Sequence, residues 1–167
     1  MKKSRLFLMS SALMLVSALC GCNSDSESDS GIQVRNFANT GCKPLETRGE
    51  DGQTGKTVEY IEYKGMEDGF LSIKHVNTSF NCLHGELRMH ATVTGNEISI
   101  LEEDYHKTKD HLSFSCDCPY DLYCEIGPLA DDTYTIVVYK GSYQYEIARS
   151  TISYSKSLDG EFSVGGE

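Results

Sequence analysis

Cysteine and histidine carry most of the reactive chemistry available to this 167-residue chain, which holds seven of the former and five of the latter. Cys20 and Cys22 lie near the N-terminus; Cys42, Cys82, Cys116, Cys118 and Cys124 are spread through the body. In an oxidising compartment such residues pair as disulfides, and where they do not, their thiolates serve as nucleophiles or metal ligands. Leu112, Phe114, Cys116 and Cys118 alternate along one apolar strand face, so the side chains of Cys116 and Cys118 share it. A bridge between these two would close a tiny strained ring, so each is expected to pair with a distant cysteine among Cys42, Cys82 and Cys124. Five is an odd number, so two bridges leave one thiol, and spacing leaves the connectivity open.

Two other chemistries compete for the same residues. A tetrahedral zinc site would draw on Cys82, His84, Cys116 and Cys118, with His90 and His111 in reserve. Zinc ligands usually come as C-x₂₋₄-C, and the C-x-C here has no matching second pair. A redox thiol needs a cation or a helix N-terminus beside it, whereas the neighbours here are Asp117 and Glu125, which raise a thiol pKa. No metal and no cofactor are therefore expected. The chain contains no nucleophile elbow, metal-ligand helix, P-loop or dinucleotide fingerprint. The carboxylate runs Glu102-Glu103-Asp104 and Asp131-Asp132 fall in loop-like stretches and are expected to be solvated. His75, His84, His90, His106 and His111 are scattered. No catalytic residue is assigned, and the expectation is a protein that is not an enzyme.

The N-terminus supplies an address. Lys2, Lys3 and Arg5 precede an uncharged apolar run, Leu6 to Leu19, which is shorter than the roughly 20 residues that span a bilayer. Leu19-Cys20-Gly21-Cys22 resembles the bacterial lipobox: an aliphatic residue three before the cysteine, a small one directly before it. The resemblance implies a signal peptide over residues 1–21, cleavage, and a fatty-acylated Cys22 that holds the chain to a membrane. Residues 22–31 form an acidic Ser-rich tether, Ser24-Asp25-Ser26-Glu27-Ser28-Asp29-Ser30-Gly31, which lacks the apolar surface needed to offset ordering entropy. An acidic run directly after the lipidated cysteine resembles the surface-export signal of Bacteroidetes lipoproteins. It implies the outer membrane facing the exterior, with the periplasmic face as the alternative.

The formal charge is −10, and loss of the three signal-peptide cations makes the remainder more acidic still. An acidic body without a Lys/Arg cluster argues against nucleic acid as a partner. Excess acid suits solubility, and no EF-hand-type loop is present.

Residues 32–167 form one domain. Strand-like alternation recurs over Thr57–Tyr63, Gly69–Val76 and Leu87–Val93, then Ile98–Leu101, Leu112–Cys116, Leu122–Ile126, Tyr134–Tyr139 and Tyr143–Ser153. Ile32–Phe37 and Glu161–Val164 offer a first strand and an edge. Gly95-Asn96 reads as a two-residue hairpin turn, and Glu102–Asp110 as a polar loop. No window carries a helical period. The reading is all-β: an antiparallel β-sandwich of immunoglobulin or fibronectin type. Tyr134, following Leu129, resembles the tyrosine corner of such domains, in which the hydroxyl bonds back to the backbone. Asn39-Thr40-Gly41-Cys42-Lys43, Asn81-Cys82 and Cys116-Asp117-Cys118-Pro119-Tyr120-Asp121-Leu122 together resemble small β-sandwich surface lipoproteins of gut Bacteroidetes, over residues 37–140. That resemblance implies a fold and an address, and carries over no catalytic residue.

The function expected is a lipid-anchored, surface-exposed binding or structural module. Its loops and tyrosines (Tyr60, Tyr63, Tyr139, Tyr143, Tyr145) would hold a glycan, peptide or protein ligand. The alternative is a small exported protease inhibitor, and a Cys/His metal-binding protein stands behind that.

Overall fold

A computed structural model describes residues 31–43, 58–106, 116–142 and 144–165. The signal peptide, Cys22 and the tether as far as Ser30 lie outside the described residues, as do His111, Leu112–Ser115 and Tyr143. The described residues form nine strands: β1 (Gln33–Asn39), β2 (Tyr60–Gly65), β3 (Leu71–Asn81), β4 (Glu86–Thr94), β5 (Glu97–Tyr105), β6 (Asp117–Gly127), β7 (Thr133–Lys140), β8 (Tyr145–Ser153) and β9 (Asp159–Ser163). They form a five-stranded sheet, β1-β6-β3-β2-β9, and a four-stranded sheet, β4-β5-β7-β8. Among the described residues, no helix is long and apolar enough to cross a membrane.

The fold is the all-β sandwich that the alternation predicts. Inward residues of the first sheet, such as Ile61, Leu71, Ile73, Leu122 and Ile126, meet Leu87, Met89, Ile98, Ile100 and Ile136 of the second in one core. β4 and β5 join through Gly95-Asn96, with Gly95 at φ +57°, a backbone setting that costs glycine least. One pairing departs from the antiparallel expectation: β5 and β7 run parallel, with Glu102 opposite Lys140. The Tyr134 hydroxyl donates to Ala130 O at 3.2 Å, and Leu129 is buried beside it in sequence, as expected of a tyrosine corner.

Two strand ends differ from expectation. Glu102 to Tyr105 continue β5 rather than opening a loop, because Glu102 is fully buried and bonded across the core. β6 begins at Asp117 rather than near Leu122, so Pro119 lies inside it. Pro119 sits beyond Leu122, where the regular β1 ladder ends; there the segment after β1 continues beside β6, and the Lys43 N–H donates to Pro119 O at 3.0 Å.

The feature that positions the interior is a bulge in β3. His75 pairs with Leu122 and Thr78 with Tyr120, so three steps on β3 match two on β6. The extra residue reverses the alternation. Leu71, Ile73 and His75 face the core before it; Thr78 and Phe80 face the core after it. Asn77 takes the left-handed setting at φ +61° and is pinned there. Its N–H donates to Asp121 Oδ1 at 3.0 Å, its Nδ2 donates to Val58 O at 2.8 Å, and its Oδ1 accepts from Lys43 Nζ at 2.8 Å. Asn36, at φ +55°, marks a similar irregularity in β1.

Candidate functional site at the disulfide-bonded end

Because the bulge turns both His75 and Thr78 inward, two side chains three residues apart meet one carboxylate of the facing sheet. His75 Nδ1 lies 2.7 Å from Glu102 Oε1, and Thr78 Oγ1 donates to Glu102 Oε2 at 3.3 Å. All three residues are fully buried. On the other side of the imidazole, Nε2 approaches Glu59 Oε1 to 3.0 Å without an aligned hydrogen bond. Lys140, at the end of β7, completes the group: its Nζ donates to Thr78 Oγ1 at 2.8 Å and lies 4.5 Å from the centre of the Phe80 ring.

Burial alone would push the His75 imidazolium down. Glu102 and then Glu59 outweigh it and raise its pKa to about 9. Burial lowers the Lys140 amine despite the same two carboxylates. Burial works against ionisation of Glu59 as well, yet His75 beside it holds that carboxyl below its ordinary range. The arrangement is an ion cluster that clamps one sheet to the other, with His75 and Glu102 out of reach of a substrate.

The cysteines gather at the end where β3 stops and β6 begins. Cys42 pairs with Cys118 at an S–S distance of 1.93 Å, and Cys82 with Cys116 at 1.97 Å. Cys116 and Cys118 thus each bond to a distant cysteine, as the spacing implied. Their burial differs from expectation: Cys118 is buried and Cys116 exposed. Cys124 is left as a free, buried thiol, which burial, then Glu102 and Glu125, push up to about 12. The zinc set does not assemble as proposed from spacing. The sulfurs of Cys82, Cys116 and Cys118 lie within 4.8 Å of one another, but they are bound in the two bridges. His84 turns its Nδ1 to Gly85 O at 2.7 Å and its ring edge to Tyr120. His90 lies in β4 against Glu103, 3.0 Å away.

A cleft of about 390 Å³ opens at this same end. Asn81 and Leu83 from the end of β3, Asp104 and His106 from the end of β5, Asp117 from β6 and Tyr145 from β8 line it. Asp104 Oδ1 accepts the Gly85 N–H at 2.6 Å, and its Oδ2 lies 3.1 Å from His106 Nε2. Leu83 is 54% and Tyr145 58% exposed, so two large apolar surfaces stand at a polar opening. On the cleft wall, Asn81 and Asp117 pair with each other and are the sequence neighbours of the bridged Cys82 and Cys116. The Lys140 stem also lines the cleft, although its ammonium is directed inward to Thr78.

Of the tyrosines singled out from sequence that fall among the described residues, Tyr145 alone lines this cleft. Tyr60 donates to Glu62 at 3.3 Å, and Tyr139 is half-buried in β7. Tyr63 packs on Phe162 and covers Gly160, where a Cβ would come within 2.5 Å of its hydroxyl. Tyr63 and Glu62 also border a shallow groove of about 330 Å³ on the outer face of the five-stranded sheet. Compared with protein-family models, curated proteins and solved structures, the chain matches none.

The ion cluster was missed from sequence because β3 reads as ending at Val76. The one available signal was the Asn77-Thr78 step, a residue tolerant of positive φ followed by renewed alternation at Thr78 and Phe80.

Proposed function

We propose that this protein is a lipid-anchored, surface-exposed binding module that holds a glycan, peptide or protein ligand in the cleft at its disulfide-bonded end. The observation that carries the reading is the pairing of exposed Leu83 and Tyr145 with Asn81, Asp104 and Asp117 around one opening. Apolar surface beside a few fixed polar groups is the usual composition of a ligand site. A binding role is favoured over catalysis because the strongly perturbed His75 is enclosed between the sheets with its partner Glu102.

The lipobox-like Leu19-Cys20-Gly21-Cys22 supports anchoring, and the acidic run of residues 24–31 supports display on the outer face of the outer membrane. In this reading the tether carries a rigid sandwich away from the lipid surface, and two bridges hold the ligand-facing end in shape.

The test is a glycan and peptide array probed with wild type and with a Leu83→Ser/Tyr145→Ala variant. A ligand bound by the wild type and lost from the variant, at equal thermal stability, supports the cleft. A ligand retained at full strength by the variant moves the site elsewhere. Mass spectrometry of the membrane fraction checks the anchor, with an acylated Cys22 expected.

A further inference from the structure

The two bridges are not independent of each other. Phe80 pairs with Cys118 and Asn81 with Asp117, and the Cys82 N–H donates to Cys116 O at 2.9 Å. Cys82 therefore stands across from Cys116, with Cys118 one side-chain position along. Its Sγ lies 3.2 Å from Cys118 Sγ, although the two are not bonded. The four sulfurs follow one another in the order Cys42–Cys118···Cys82–Cys116, with the inner two in contact and the outer residues, Cys42 and Cys116, exposed.

We propose that this array is a thiol–disulfide exchange site that takes a thiol at one exposed end and releases a different thiol at the other. Entry at Cys116 shows the balance. An external thiolate attacks Cys116 Sγ, a mixed disulfide forms there, and the Cys82–Cys116 bond breaks with its electron pair leaving on Cys82. The Cys82 thiolate then attacks Cys118 Sγ, the Cys82–Cys118 bond forms, the Cys42–Cys118 bond breaks, and Cys42 leaves as a thiolate that takes a proton from water. Entry at Cys42 is the mirror image: Cys118 leaves as the thiolate, attacks Cys82 Sγ to form the same Cys82–Cys118 bond, and frees Cys116. The thiol is the only co-reactant: two disulfides are present before and two after, one of them now the mixed disulfide, and the incoming thiol is replaced by one freed protein thiol.

Three features favour the transfer. A 3.2 Å separation lies in the near-attack range, so only a short further approach is needed to form the bond. Cys82 departs already ionised, so no base is needed. The final leaving group is exposed, where water solvates the thiolate. The backbone requires a small shift, because diagonal neighbours in an antiparallel pair lie about 7–8 Å apart and a relaxed bridge spans roughly 4.4–6.8 Å between Cα atoms. Cys82 lies just past the end of β3, in the turn to β4, where such a shift is cheapest. Cys124 takes no part, being buried in the core.

The experiment is to expose the full oxidised protein to limiting reduced glutathione, quench with acid, alkylate, and map peptides without reduction. The expected product carries a Cys82–Cys118 bridge, glutathione on one outer cysteine and an alkylated thiol on the other. Glutathione on Cys116 with an alkylated Cys82 and an intact Cys42–Cys118 bridge would overturn the proposal, and so would no reaction. A Cys116→Ser variant gives an independent reading, because its Cys82 thiol then competes with Cys42 for Cys118. Both Cys42–Cys118 and Cys82–Cys118 peptides are expected from it without added thiol; Cys42–Cys118 alone would overturn the relay.

Discussion

The buried His75 offers the sharpest quantitative test of the interior. Its pKa rises from 6.5 to about 9 on folding, because Glu102 and Glu59 stabilise the imidazolium more than burial penalises it. A shift of that size corresponds to about 3 kcal/mol of linkage. The sign follows from the direction. A raised folded pKa gives stability that is fully present below pH 6.5 and is lost as the pH climbs through 9. Other groups face the same site: Glu102 from β5, Glu59 before β2, Lys140 from β7 and the Cys124 thiol from β6. Lys140, lowered by burial, contributes with the opposite sign, so a single pH profile would blur the effect. Comparison of wild type with His75→Gln isolates it. Both are best made in a Cys124→Ala background, which removes the thiol that would reshuffle bridges in alkaline urea. Urea unfolding at pH 6 and pH 9.5 should show the stability gap between the two narrowing by about 3 kcal/mol, with unchanged slopes. A gap that stays constant across that range would refute the charged His75–Glu102 pair. A His75→Leu/Glu102→Leu double variant should cost less than either single change, since each single change strands a group that the pair had satisfied.

Further outcomes follow from the remaining geometry. Replacing Cys82 and Cys116 together by Ser should lower stability by about 2–4 kcal/mol, read from urea midpoints at matched pH. Cys124 should resist alkylation in the folded protein and react within the same time in denaturant, because the native core excludes both reagent and thiolate. Gly65→Ala should destabilise by about 1–3 kcal/mol in the same assay, because its Cβ would run into the backbone carbonyl of Ser155.

How far the sequence could be read depended on whether a side chain's role was local. Leu87, Met89, Ala91 and Val93 alternate on one strand, and a period of two needs no knowledge of the partner, so β4 emerged near its true limits. Gly95-Asn96 and Tyr134 were legible for the same reason: a turn and a corner are set within a few residues. Cys116 and Cys118 declared that they could not bond each other, yet their partners came from residues 76 and 34 positions away, which spacing does not encode. Glu102 was read as solvated because acid within Glu102-Glu103-Asp104 is most cheaply placed in water. Its burial depends on His75 and Thr78 from the other sheet, and those two converge only because one extra residue at Asn77 changes the face of β3.

That same residue links the interior to the cysteine-bearing end. Downstream of Asn77 every side chain on β3 has the opposite facing from the one an unbroken strand would give. The reversal sends Thr78 to Glu102 and Lys140, sends Phe80 under the Lys140 ammonium, and places Cys82 across from Cys116 with Cys118 beside it. The pins on Asn77 come from Asp121 on β6 and from Lys43, the residue after Cys42. Lys43 and Asp121 are themselves ion-paired. The segment that carries one outer sulfur therefore also braces the bulge that positions the inner ones. If Cys42 is released by exchange, the Lys43–Asp121 and Lys43–Asn77 contacts still hold residues 40–43 near β6. The freed thiol would remain close to the array, where it can displace Cys82 from Cys118; the Cys82 thiolate then attacks Cys116 and expels the external thiol as a thiolate, which restores the starting bridges.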